Sequence, residues 1–364
     1  MANAGSLWVA GTMSGTSLDG VDAAMVRTDG IHVLELGRTD YRPYSPAERE
    51  TLRSALGRED GSEVEAAADV VEAAHVELLS GFKDAELVGL HGQTTLHLPD
   101  EGRTRQIGDG RSLARALGVP VTWDFRSEDM RHGGQGAPLA PFYHFALARM
   151  LEISEPVAFL NIGGVANLTW LDPLREAPET PGACLAFDTG PGIAPINDLC
   201  QVRLNAPLDK DGGLTSAGNV DPAILKRLLE HQRYFSRTPP KSLDRNSFSG
   251  WLSEVDACSP EDAAATLAAG VAKAIAVALT HCPNVPTRVL VSGGGRKNHG
   301  LMALVSDALD CPVLPIEEVG MDGDMLEAQA FAYLAARVRS GLPTSAPGTT
   351  GAAKPVCGGT VSEP

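Results

Sequence analysis

The chain has 364 residues, room for two domains, and its 43% apolar and 21% charged residues are ordinary for a soluble globular protein. A net charge of −16 argues against nucleic acid or an anionic membrane as partner. It leaves room for a nucleotide, because backbone dipoles and a bound metal offset phosphate charge locally.

The chain opens with an apolar run at 7–10, then Gly-Thr-Met-Ser-Gly-Thr-Ser-Leu-Asp-Gly-Val-Asp at 11–22, and a second apolar run at 21–26. That pattern is strand, small-residue loop, strand. Glycine lets a backbone approach a ligand closely, and consecutive N–H groups with hydroxyls can wrap a phosphate. Asp19 or Asp22 could hold Mg²⁺ directly or through water, since hard cations prefer oxygen. The alternative is a tight Gly/Ser turn with no ligand. No G-x-x-x-x-G-K-[ST] loop occurs, which argues against a P-loop fold. Residues 1–6 carry no basic stretch, so no secretory signal is expected.

Helices are expected at 45–56 and 61–83, followed by a strand at 87–90. His91, Gln93 and Thr94 follow that strand. After a helix at 111–117 and a strand at 119–123 comes the polar segment 124–138, with Arg126 and Asp129. Donors and acceptors gathered in loops suit a sugar with many hydroxyls. Equally, Arg126 could pair a structural carboxylate and His91 could be a satisfied core histidine. The other histidines (32, 75, 97, 132, 144, 231, 281, 299) show no metal-ligand spacing, and neither H-E-x-x-H nor G-x-S-x-G occurs.

A helix is expected at 141–151 and strands at 157–161 and 166–170. Val-Ala-Phe-Leu-Asn-Ile-Gly-Gly-Val-Ala-Asn-Leu-Thr at 157–169 repeats the opening plan of strand, glycine loop and strand. Two lobes that each begin with a glycine hairpin would clamp a phosphate chain from both sides, with Gly164 in the second loop. A strand at 185–188 delivers Asp188 into Asp-Thr-Gly-Pro-Gly at 188–192, which contains Gly190. Ligands of α/β folds collect at the carboxyl ends of strands. Asp188 there is a general base, a metal ligand or the cap of the next turn.

Helices are expected at 221–235 and 262–282, the latter a buried core helix rather than a membrane span because it is Ala-rich and contains Lys273. A strand at 289–292 enters Gly293, Gly294 and Gly295, where side-chain-free backbone suits a base or phosphate passing close by. Arg296 or Lys297 could touch that nucleotide. Helices at 300–309 and 324–339 follow, and residues 343–364 read as an extended strap or a frayed tail. The 6 cysteines contain no C-x-x-C pair and read as reduced thiols of a cytoplasmic protein. Alternating strands and helices make the fold class α/β.

Eight segments, in order along nearly the whole chain, resemble the anhydro-N-acetylmuramic acid kinases: GTMSGTSLDGVD (11–22), HGQT (91–94), DFRSEDMRHGGQGAPLAP (124–141), NIGGVANLT (161–169), DTGPG (188–192), PPKS (239–242), SGGGRKN (292–298) and MLEAQAFA (325–332). The resemblance implies a two-lobed actin/sugar-kinase-like (ribonuclease H-like) fold with ATP in the interlobe cleft. It implies lobes at 1–130 and 131–339, with 340–364 packing back on the first. It implies nucleotide contacts from Gly15, Thr16, Ser17, Leu18, Asp19, Gly20, Val21 and Asp22, with Mg²⁺ at Asp19 and Gly293 to Gly295 on the adenosine side. Asp188 becomes the catalytic base, and His91, Gln93, Arg126, Asp129 and Glu327 become substrate contacts. The implied reaction opens a 1,6-anhydro bridge and phosphorylates O6 in one event, in the recycling of cell-wall fragments by a homodimer. Two departures from the family pattern bear on substrate fit: Ile193 stands where asparagine is usual, and Leu243-Asp-Arg-Asn246 stands where Thr-Gly-Arg-Glu is usual. A kinase for another anhydrosugar such as levoglucosan, and a nucleotide-gated scaffold without a sugar substrate, are the competing readings.

Overall fold

The computed structural model describes residues 5–230, 232–243 and 245–364, without the side chain of Asn246. Residues 1–4 of the N-terminal stretch read for a signal, His231 and Asp244 lie outside the described residues.

The strands are β1 (Leu7–Ser14), β2 (Gly20–Thr28), β3 (Val33–Pro43), β4 (Leu87–Leu98), β5 (Arg103–Ile107), β6 (Val121–Trp123), β7 (Val157–Ile162), β8 (Val165–Leu171), β9 (Cys184–Pro191), β10 (Val289–Ser292), β11 (Val313–Pro315) and β12 (Thr360–Ser362). The chain divides into two compact units. The first holds residues 5–153, Arg175–Cys184 and Met325–Pro364, and the second holds Ser154–Leu174 and Leu185–Asp324.

The first sheet runs β12-β6-β4-β1-β2-β3, with β5 added to β4, and the second runs β11-β10-β7-β8-β9. In the first, β1 is antiparallel to β2 and parallel to β4, which is parallel to β6. In the second, β7 is antiparallel to β8 and parallel to β10, which is parallel to β11. With β5 and β12 set aside, both sheets follow the order fifth-fourth-first-second-third. The repeated hairpin plan in the sequence is therefore the first strand pair of a repeated α/β sheet.

The first unit is closed by the helix Leu326–Arg339 lying on β1 and β4. Gly11 and Gly89 are register partners there. A Cβ on Gly11 would stand 2.0 Å from the Ala328 carbonyl oxygen, and one on Gly89 would stand 2.2 Å from that of Phe331. Paired glycines thus let helix backbone touch sheet backbone. Arg337 on the same helix is 2% exposed; it donates to the Gly30 carbonyl at 3.0 Å and pairs with Glu179 at 2.9 Å. The helix Pro141–Met150 joins it through Tyr143 Oη donating to Gln329 Oε1 at 2.7 Å. Residues 131–153 and Met325–Arg339 therefore sit in the first unit, where a boundary at 130 would have put them in the second. The terminal strap contributes β12, and Trp123 Nε1 donates to Ser362 Oγ at 3.0 Å.

The second unit is organised on the helix Pro260–Leu279. Ser259 caps it by accepting from the Asp262 N–H at 3.1 Å, and Pro260 takes the first turn, where its missing donor does no harm. The helix is long and apolar enough to cross a membrane, but most of it is buried among β7, β8, β10 and neighbouring helices. Small residues allow that close packing: a Cβ on Gly270 would meet the Trp251 ring at 2.8 Å.

Candidate active site

The first hairpin closes through residues 15–19. The Leu18 N–H donates to the Gly15 carbonyl at 3.1 Å, and Leu18 takes a left-handed φ of +59°. Its buried side chain anchors that turn, while Thr16, Ser17 and Asp19 are exposed. The Tyr44 N–H donates to the Asp19 carbonyl at 2.9 Å, fixing the far side of the loop. Ser14 Oγ donates to Gln93 Oε1 at 2.6 Å and lies 3.0 Å from Tyr44 Oη. The hairpin thus offers hydroxyls, N–H groups and one carboxylate at a rigid tip. Gly20, Val21 and Asp22 do something else. They lie in β2 opposite β3, Val21 is fully buried, and a Cβ on Gly20 would stand 2.4 Å from the Arg42 carbonyl. They brace the loop from behind.

In the second unit the loop between β7 and β8 is held by the strand end that follows Asp188. The N–H of Gly192 donates to the Gly164 carbonyl at 2.9 Å and that of Ile193 to Gly163 at 2.8 Å. Ile193 packs its side chain on the apolar core, so this departure serves packing. Gly190 faces inward, where a Cβ would stand 3.0 Å from Ala274 and Phe235. Gly293 and Gly295 fit against β7: a Cβ would stand 2.1 Å from Asn161 Oδ1 at the first and 2.3 Å from Ile162 at the second. Gly294 alone of the three has an open face. Arg296 is buried and spent on structure, bonding Glu317 at 2.8 Å, Asp324 at 2.9 Å and the Gly293 carbonyl at 2.9 Å. Lys297 is exposed and pairs with Asp324 at 2.8 Å.

Asp188 lies near the carboxyl end of β9. Its own N–H donates to the Lys241 carbonyl at 3.0 Å, its carbonyl accepts from Tyr234 Oη at 2.7 Å, and its Oδ2 accepts from the Leu243 N–H at 2.8 Å. The residue keeps a partly exposed surface, yet protein atoms crowd the carboxyl. That burial pushes the carboxyl up to about 7, opposed by the Leu243 N–H. A carboxylate with this affinity for protons is matched to general-base work near neutral pH.

The expected sugar contacts all fall in the first unit, and they separate into two kinds. Arg126 precedes the short helix Ser127–Arg131, donates from Nη1 to the Gly136 carbonyl at 3.1 Å and places Nη2 2.9 Å from His91 Nε2. His91 Nδ1 lies 2.8 Å from the Gly92 carbonyl, so it carries the proton and Nε2 accepts from Arg126. Burial and the Arg126 charge hold the His91 ring well below its usual range, so it is neutral. Arg126 Nε is buried without a hydrogen-bond partner among the described residues. Glu327 is exposed at the start of its helix; surrounding protein raises its carboxyl, against the pull of Arg126.

Gln93 and Asp129, by contrast, are fully buried and committed internally. Gln93 ties β4 to Ser14. Asp129 accepts from the Gly136 N–H at 2.7 Å, from Thr350 Oγ1 at 2.6 Å and from Ser345 Oγ. Its oxygens clamp the terminal strap and the 133–136 turn, so the expectation of a direct sugar contact gives way to an internal clamp. What reasoning from the sequence missed is the pair Tyr234 and Lys241 that surrounds Asp188. The only signal was Lys241 inside the PPKS segment, because a buried lysine looks like a surface one in sequence.

The family model described as anhydro-N-acetylmuramic acid kinase matches residues 7–363. A relative named anhydro-N-acetylmuramic acid kinase from Cereibacter sphaeroides is 59% identical over 100% of this chain and 98% of its own length. One of the same name from Rhodospirillum rubrum is 47% identical over 98% of this chain and 94% of its own. Among solved structures, an ROK family glucokinase from Streptomyces griseus in complex with glucose and AMPPNP aligns over 91% of this chain and 99% of its own at 14% identity and a TM-score of 0.44. The match from the first strand to the last places this chain in the anhydro-N-acetylmuramic acid kinase family.

Proposed function

We propose that the protein is an ATP-dependent kinase that opens the 1,6-anhydro ring of 1,6-anhydro-N-acetylmuramic acid and phosphorylates O6. The products are N-acetylmuramic acid 6-phosphate and ADP. The observation that carries the chemistry is Asp188, a carboxylate at a strand end with its proton affinity raised to about 7 and one oxygen anchored by the Leu243 N–H. Asp188 takes a proton from water as the water oxygen bonds to the anomeric carbon. The bond from that carbon to the bridge oxygen breaks, and the released O6 attacks the γ-phosphorus of ATP, expelling ADP.

Arg126, partly exposed and with a charge retained at a pKa of about 10, suits the substrate carboxylate, and neutral His91 fixes its orientation. Glu327 is open to sugar hydroxyls. Thr16, Ser17 and the backbone of residues 15–19 suit phosphate oxygens.

Magnesium fits this donor set in one way. Among the described residues no three His, Cys, Asp or Glu side chains gather to hold a metal by themselves. The exposed Asp19 carboxylate would therefore hold Mg²⁺ together with phosphate oxygens and water. Bound there, the ion neutralises charge on the phosphates. The protein is taken as cytoplasmic and as a homodimer, and light scattering on the purified chain tests the dimer.

The deciding experiment is ADP release from ATP and Mg²⁺ with 1,6-anhydro-N-acetylmuramic acid, with the product identified by mass and NMR. A product that has gained water and carries phosphate on O6 is expected. ADP release with levoglucosan alone would move the substrate, and no sugar-dependent release would refute the kinase reading.

A further inference from the structure

Lys241 is 2% exposed, although nothing in the proposed reaction uses it. Its Nζ donates to the carbonyls of Tyr234 and Phe235, both at 3.2 Å. The ammonium also lies 4.8 Å from the centre of the Tyr234 ring and 5.5 Å from that of Phe187, the residue preceding Asp188. Among the described residues this buried cation is held by carbonyls and ring faces, an expensive arrangement that points to a task beyond solubility.

Three hydrogen bonds tie the two segments that Lys241 joins to Asp188. Tyr234 Oη donates to the Asp188 carbonyl at 2.7 Å. The Lys241 carbonyl accepts the Asp188 N–H at 3.0 Å. Two residues on, the Leu243 N–H donates to Asp188 Oδ2 at 2.8 Å. Segments 234–235 and 241–243 thus flank the carboxylate and its backbone, and the Lys241 ammonium is the staple between them.

We propose that Lys241 is a positioning residue for Asp188: by stapling segment 241–243 to the Tyr234–Phe235 turn it holds the Leu243 N–H on the carboxylate and fixes the direction of its free oxygen. This rests on the reading of Asp188 as the base. Besides Lys241, the titratable groups facing this shell among the described residues are Tyr234, Arg237, whose charge acts on both Tyr234 and Lys241, and His281, whose Nε2 lies 3.0 Å from the Phe235 carbonyl. The Leu243 N–H favours the charged form of Asp188, so its loss raises the pH at which the base becomes active.

The test compares pH profiles of kcat and kcat/KM for the full chain, Lys241→Met and Asp188→Asn, with thermal unfolding recorded for each. The expected result is a folded Lys241→Met enzyme with kcat lowered about tenfold or more, KM for ATP unchanged, and the acid limb moved up by about one pH unit. A folded Lys241→Met enzyme with the wild-type profile overturns the proposal. If that variant does not fold, Lys241→Gln carries the test, because it removes the ammonium and keeps a side chain that can donate. Lower kcat at unchanged KM for ATP then supports the staple, and unchanged kcat overturns it. Asp188→Asn separates the two readings: if it retains turnover, the base assignment fails whatever Lys241 does, and if it loses turnover while Lys241→Met matches wild type, only the positioning role fails.

Discussion

Gly11 and Gly89 face each other across β1 and β4, and helix backbone occupies the space their side chains would fill, 2.0 Å and 2.2 Å from the missing Cβ atoms. The obstruction is carbonyl oxygen, which cannot swing aside as a flexible side chain can. Gly11→Ala should therefore destabilise the protein by about 3 kcal/mol, as overpacking of a tight core does, read from the denaturant midpoint. The helix that would be pushed away begins with Leu326 and Glu327, so the KM for the sugar should rise in whatever fraction stays folded. A midpoint equal to wild type would contradict the close approach.

Arg126 is held at two points, the Gly136 carbonyl and His91 Nε2, which fixes the plane of its guanidinium. Lysine cannot make that planar fork. Arg126→Lys should raise the KM for the anhydrosugar about tenfold or more, the equivalent of ~1.4 kcal/mol, and leave the KM for ATP unchanged. Steady-state kinetics with each substrate varied in turn checks this. An equal rise in both values would remove the assignment to the sugar.

The hairpins and the strands leading into Asp188 and Gly293 were legible because apolar runs ending in glycine have few other uses. β3 was not legible: most of its residues are exposed, and Leu-Glu-Leu-Gly-Arg-Thr-Asp-Tyr-Arg shows no clean alternation. The helix Ala194–Leu204 was hidden by Pro195, which reads as loop although a first-turn proline is well tolerated. The helix expected at 221–235 stops at Leu229. At the site, types and positions of residues were readable but their depth was not. Asp129, Gln93, Arg296 and Lys241 all look like surface or ligand-facing groups in sequence, and tertiary packing buries each of them.

Asp129 gathers three donors, one from the 133–136 turn and two from the terminal strap. Asp129→Ala would leave the Ser345 and Thr350 hydroxyls and the Gly136 N–H buried and unmet. A loss of about 3 kcal/mol is expected, with proteolysis of the strap at residues 343–364 becoming faster. Because Gly136 also anchors Arg126, the sugar KM should rise with it. Asp129→Asn keeps one acceptor oxygen and should lose less. Wild-type stability in the alanine variant would show that the strap is held elsewhere.

Asp19 is exposed and its side chain supports little of the fold, so Asp19→Asn should leave the unfolding midpoint within about 0.5 kcal/mol of wild type. The Mg²⁺ concentration giving half-maximal rate should rise about tenfold, and a chelator should abolish turnover in both proteins. Unchanged Mg²⁺ dependence in the variant would place the ion away from this carboxylate.

The raised proton affinity of Asp188 gives opposite pH dependences for activity and stability. The carboxyl titrates near 7 in the folded protein against an ordinary 3.8, because burial disfavours the charge. Activity needs the charged form, so kcat/KM should climb through an acid limb centred near 7. His91 is held neutral well below that range and contributes nothing to the limb. Stability runs the other way. A native state that holds its proton more tightly than the unfolded chain is favoured at low pH, and this contribution is fully present below about 4. It fades as pH rises and is gone above about 7, where folding must bury the charge. Asparagine carries no such charge. Asp188→Asn should therefore raise Tm by a few degrees at pH 8 and change it little at pH 4.5, while abolishing turnover at both. A Tm difference that does not depend on pH would mean that the carboxyl is not perturbed in the folded protein.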